Sequence, residues 1–283
     1  MLWKGRRQSG NVEDARGLGG GKLLGGGIGA AIIGLIIYLL GGDPSTVMNQ
    51  LPTSGGSMDS AQLEQLKEQQ KESREFVGVV LGDTEDVWDK LFAQMGGQYQ
   101  HPKLQIFNGQ TTSECGGATS ASGPFYCPLD RKVYIDLTFY DELKEKFKAP
   151  GDFAMAYVVA HEVGHHVQNL MGTSEKVQQM RGRVSQAEYN KLSVMLELQA
   201  DFYAGVWAHH AQEMKGILQS GDIEEALNAA NAIGDDRLQR ESQGQVVPDA
   251  FTHGTSEQRM RWFRKGFETG DVKQGNTFEA ADL

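Results

Sequence analysis

The most prominent feature of the hydropathy pattern is an uninterrupted apolar run, LLGGGIGAAIIGLIIYLL, from Leu23 to Leu40. As a helix it would span roughly 27 Å at 1.5 Å per residue, close to the hydrocarbon thickness of a bilayer. Its glycines suit a membrane helix better than a soluble one. A cleavable signal peptide and a buried core helix are the competing readings. GGDPSTVM, which follows, offers no clear small-residue cleavage site, and the run is apolar on every side. The pattern predicts a single transmembrane helix over 23–40. Residues 41–75 change character: GGDPSTVMNQLPTSGGSMDS is too polar and turn-rich to bury much surface, and AQLEQLKEQQKESREF continues as a polar helix. Together they read as a stalk, with a folded domain over 76–283.

Within that domain the periodicity changes twice. Asp83 with Asp86 predicts a helix start, with Val87, Leu91 and Phe92 on its buried side as far as Met95. The stretch 103–137 reads as strands: KLQIF, GPFYC and KVYIDL. In the last, Val133, Ile135 and Leu137 alternate with more polar neighbours; it is the predicted edge strand, able to pair with an extended substrate. After the break at Pro150-Gly151, Asp152 is the predicted cap of a helix ending at Gly172. Ser185 with Glu188 forms a capping box for a long helix reaching Leu218. Asp222 with Glu225, and Thr255 with Gln258, open two more. Strands first and helices after predict one α+β domain, mostly helical with a small sheet.

Charge adds topology. The net charge is -10 and the pI about 5.2, which argues against nucleic acid as a partner. Residues 1–22 are nonetheless basic, with Lys4, Arg6, Arg7, Arg16 and Lys22 against Glu13 and Asp14. A positive flank before a membrane helix predicts a cytoplasmic N-terminus. The expectation is a single-pass protein of the bacterial inner (cytoplasmic) membrane. Residues 1–22 would be a basic cytoplasmic segment, 23–40 would meet the lipid bilayer, and the domain would be periplasmic or extracellular. Cys115 and Cys127, the two cysteines, fit an exported domain as a disulfide. The short loop they close would add about 3 kcal/mol in the chain-entropy model.

The chemistry lies in HEVGHHVQNL, residues 161–170. His161-Glu162-Val163-Gly164-His165 is HExxH, set in an otherwise apolar helix. Positions four apart lie one turn apart on one face, so His161 and His165 can converge on one Zn²⁺ while Glu162 serves as general base. His166 points about 100° away, so it is not expected to share that metal; a structural role, or one supporting a ligand from behind, is expected. Chance occurrence on a polar helix is the competing explanation, but buried unpaired imidazoles are costly. Catalytic zinc takes three protein ligands. The third is expected from Glu197-Leu198-Gln199-Ala200-Asp201: Glu197 on the metal and Asp201 on the outer nitrogen of a ligand histidine. Ala204, Gly205 and Ala208 continue that face and would let a neighbouring helix approach.

HExGH with a downstream ExxAD resembles the gluzincin type of zinc peptidase. HEVGHHVQ, ELQADFYAG and HGTSEQR, with MLWKGRRQSGNVEDARG at the start, are similar to the bacterial putative neutral zinc metallopeptidase family over nearly the whole chain. The resemblance implies a zincin-like fold, one Zn²⁺ per chain, and hydrolysis of a protein or peptide by zinc-activated water. It also implies that His253 or Tyr203 stabilises the oxyanion and that Arg259 braces the site. A non-catalytic zinc scaffold and a zinc hydrolase of a small cell-envelope substrate are the alternatives. Oligomeric state is not readable from the sequence.

Overall fold

The computed structural model describes residues 1–17 and 60–283. The expected membrane helix over 23–40, and the stalk as far as residue 59, lie outside the described residues. Among the described residues no helix is long and apolar enough to cross a membrane.

The elements run β1 (Val12–Asp14), α1 (Ser60–Gln69), α2 (Lys71–Gln94), β2 (Lys103–Phe107), β3 (Gln110–Ser113), β4 (Gly116–Thr119), β5 (Phe125–Cys127), β6 (Lys132–Asp136), α3 (Phe139–Glu145), α4 (Asp152–Leu170), α5 (Thr173–Gln179), α6 (Gln186–Lys215), α7 (Asp222–Ala232), α8 (Asp235–Gln243) and α9 (Ser256–Thr269). This is the expected α+β architecture, mostly helical with a small sheet. The main sheet has the order β1-β2-β6-β5, with β1 and β6 parallel to β2 and β5 antiparallel to β6. β3 and β4 form a separate hairpin. β6, which carries KVYID, is therefore an inner strand. The edge beside it is β5, a correction to the predicted edge. Val133 and Ile135 are fully buried, as their alternation requires.

Helices α4 and α6 form the centre of the core, where Phe153 stacks on Trp207 at 5.8 Å. The capping boxes at Ser185 and Thr255 form as predicted. At α4 the cap differs: Gly151 is the N-cap and Asp152 the first helical residue. Gly151 (φ +122) leaves room for Glu225 of α7, whose carboxylate accepts the Phe153 N–H at 3.0 Å. Asp83 is likewise not a cap. It lies inside α2, 1 % exposed, where it accepts hydrogen bonds from Arg6 at 2.5 Å and Lys215 at 2.8 Å. α6 stops at Lys215, because Gly216 adopts a left-handed conformation (φ +62).

The boundary at residue 76 falls within α2, where Phe76, Val77 and Val80 are buried. Residues 1–17 belong to the same folded body instead of forming a separate basic segment. Val12, Glu13 and Asp14 pair with Leu104, Gln105 and Ile106. The Met1 α-amino group bonds Asp152 at 2.5 Å and Asp222 at 3.3 Å. Arg7 reaches Glu85 at 3.1 Å and Asp86 at 2.7 Å. Of the basic residues that suggested a cytoplasmic flank, Lys4, Arg6 and Arg7 are partners for acids of α2, and Arg16 pairs with Asp14 of β1. Cys115 and Cys127 are joined in a disulfide.

Candidate metal centre

The HExGH segment occupies the third and fourth turns of α4, facing α6. Gly164 is needed there: a Cβ on it would stand 2.9 Å from the Ala200 carbonyl oxygen. Closeness of the two helices brings His161, His165 and Glu197 together, each offering a ligand atom within 4.8 Å of the others.

Hydrogen bonds determine which atoms face inward. His161 Nδ1 lies 2.7 Å from Asp201 Oδ1. A carboxylate only accepts, so Nδ1 carries the hydrogen and Nε2 is left with its lone pair. That Nε2 stands 3.1 Å from Glu197 Oε2. His165 repeats the arrangement: Nδ1 donates to Gln168 Oε1 at 2.9 Å, and Nε2 faces Glu197 Oε1 at 3.5 Å. Gln168 is held for this by donating to the Leu196 carbonyl at 2.7 Å. Two nitrogen lone pairs directed at a carboxylate require a cation among them, either protons or a metal ion. The donor set of two imidazoles and one carboxylate fits Zn²⁺.

Asp201 is fully buried and makes three kinds of contact. It accepts from His161, from Tyr157 Oη at 2.5 Å, and from Arg259 Nε and Nη2 at 2.8 and 3.0 Å. Burial alone would raise its pKa, but Arg259 and His161 outweigh that and hold it below the usual carboxylate range. For His161, burial disfavours the charged ring, and Asp201 and Glu197 overcome it and raise the pKa. Glu162 is 8 % exposed, and burial lifts its carboxyl pKa against the pull of His161 and His165, the direction that suits a general base.

Tyr157, His161, Glu162, His165, Glu197 and Arg259 border one cleft of about 640 Å³, which also touches His253, Phe125, Tyr126, Lys146 and Arg181. Ser122, Lys146 and Arg181 are exposed, so the cleft opens to solvent. His253 stands on the loop before α9, with Asp235 accepting from its backbone N–H at 2.6 Å and from its ring at 3.1 Å. Tyr203, the rival oxyanion donor, is not brought to this cleft. It points to a separate cavity of about 610 Å³, and its hydroxyl donates to Met171 Sδ at 3.6 Å. Two positions from Asp201 on a helix is about 200°, the opposite face.

Sequence reasoning missed Tyr157 and Gln168. Both are in register with the motif, four before His161 and three after His165, and that spacing was the available signal. His166 donates through Nε2 to the Gln100 carbonyl at 2.6 Å and accepts from Tyr126 at 2.9 Å, away from the cleft, as expected.

Residues 1–278 match the protein-family model described as "Putative neutral zinc metallopeptidase". "Uncharacterized protein YpfJ" of Escherichia coli strain K12 is 51 % identical over 285 residues, covering 98 % of this chain and 99 % of that protein. "Uncharacterized protein Rv2575" of Mycobacterium tuberculosis is 41 % identical over 258 residues, covering 87 % and 86 %. "Uncharacterized protein Mb2605" of Mycobacterium bovis stands at the same identity and coverage. No solved structure matches.

Proposed function

The chain belongs to the putative neutral zinc metallopeptidase family, and we propose that it is a zinc-dependent peptidase working in the cleft that His161, Glu162, His165 and Glu197 border. One observation carries this reading. The Nε2 atoms of His161 and His165 converge on Glu197, each with its other nitrogen already engaged, and Glu162 is buried beside them.

His161, His165 and Glu197 would hold one Zn²⁺, and Asp201, clamped by Arg259 and Tyr157, keeps His161 in the right tautomer and orientation. Zinc bound there supplies Lewis acidity to the attacking water and to the scissile carbonyl. Glu162 takes the proton from the water and returns it to the leaving amine. His253 donates a hydrogen bond to the oxygen on which charge develops. The edge of β5 borders the cleft through Phe125 and Tyr126, so an extended peptide can add to the sheet there. An opening flanked by exposed Lys146 and Arg181 favours a polymeric substrate over a small enclosed one. The Cys115–Cys127 bridge supports an oxidising compartment for the domain.

Glu162→Gln tests the reading against a zinc scaffold. It keeps the size of the side chain and removes the base. Zinc content should stay at the parent level, while peptide cleavage in a proteomic screen falls at least about 100-fold and chelator abolishes it in the parent. Undiminished cleavage by Glu162→Gln would exclude the mechanism. Loss of zinc from that variant would instead favour the scaffold.

A further inference from the structure

His209 and His210 form a pair that stands apart from the site described so far. They lie near the C-terminal end of α6, against the end of α9. His209 Nδ1 is 2.7 Å from the Phe267 carbonyl oxygen, and His210 Nε2 is 2.9 Å from that of Gly270. Carbonyls only accept, so these nitrogens carry the hydrogens. The rings are thereby held in opposite tautomers, leaving lone pairs on His209 Nε2 and His210 Nδ1. Both atoms face the same side chain: Glu213 Oε1 is 3.5 Å from the first and Oε2 3.1 Å from the second. The donor atoms of the three residues lie within 4.8 Å of one another.

The local backbone accommodates this placement. Gly270 is left-handed (φ +59), and a Cβ on it would stand 2.4 Å from His209 Cδ2. The glycine admits the ring and at the same time presents its carbonyl to His210. Capping the last carbonyls of α9 accounts for the two N–H donors. It leaves unexplained why both remaining lone pairs converge on a carboxylate. Imidazoles whose other nitrogen is tied to a backbone carbonyl, with a carboxylate completing the set, are the usual arrangement around a borderline-soft metal ion.

We propose that His209, His210 and Glu213 form a second metal site, for a divalent transition-metal ion of which Zn²⁺ fits the donor set best. Glu213 is 56 % exposed, so water completes the coordination. The ion ties the end of α6 to the turn that closes α9, the helix that carries Arg259.

The test uses the full chain with Zn²⁺ alone, counted by mass spectrometry after equilibrium dialysis. The parent should take up two ions, Glu213→Ala one, and His210→Ala one. His161→Ala/His165→Ala, which removes the other site, should still take up one, and adding Glu213→Ala to it should leave none. Because each variant is read as a difference from its own background, failure of the peptidase site and failure of this one are separable. Glu213 is exposed and its removal should leave the circular dichroism spectrum unchanged. Equal zinc uptake by the parent, Glu213→Ala and His210→Ala would overturn the proposal. A lowered melting temperature in His210→Ala with unchanged uptake would show that the histidines are helix caps only.

Discussion

His166 sits one residue from His165, a proposed metal ligand, yet is occupied with packing and with hydrogen bonds to Tyr126 and Gln100. It is fully buried, and burial pushes its pKa down to about 4, against 6.5 for an unperturbed histidine. Between those values the unfolded chain binds a proton that the folded chain refuses. The contribution to stability is therefore complete above pH 6.5, falls as pH drops, and is fully lost near pH 4. At about 1.4 kcal/mol per unit the loss is roughly 3–4 kcal/mol. His166→Gln removes the titration, so urea unfolding should show a flatter pH dependence than in the parent over that range. Parallel profiles would contradict the assignment. At this scale the juxtaposition was legible because a spacing of four on a helix dictates direction: His161 with His165, and Glu197 with Asp201. Spacing puts Tyr157 and Gln168 in register with the motif and Tyr203 on the face opposite Asp201, but the partners they bond across helices depend on how three helices pack.

The helices that make the site are held by small residues in a way the sequence only half disclosed. Ala204, Gly205 and Ala208 were expected to admit a neighbour, and Gly205 does, but its partner is α9. A Cβ on Gly205 would fall 2.1 Å from the Phe263 carbonyl oxygen, and one on Gly266 would fall 2.0 Å from that of Phe202. Backbone is in the way in both directions, so no side-chain adjustment relieves it. Gly266→Ala must push α9 outward. Overpacking of this kind costs about 1–3 kcal/mol, a fall in Tm of roughly 2–4 °C for each kcal/mol in a domain of this size. Gly10→Ala, which meets nothing within 4 Å, should leave Tm unchanged; equal effects would refute the close packing. The starts at Ser185 and Thr255 could be read because capping is local chemistry. The three-residue strand β1 could not, because a strand that short exists only through its long-range partner.

At the scale of the whole molecule, the pairing of Val12–Asp14 with Leu104–Ile106 has a consequence for membrane topology. Met1–Gly17 and the chain from Ser60 onward are strands and helices of one body. In this folded body residues 1–17 and the domain lie together, so labelling a surface position in each tests the expected arrangement of a cytoplasmic N-terminus with an exported domain. Leu2 and Leu129 are 54 % and 63 % exposed at separate places on the surface. Leu2→Cys and Leu129→Cys should react alike with a membrane-impermeant maleimide on intact spheroplasts, both labelled or both protected. Labelling of one alone would require β1 to detach from the sheet in the cell.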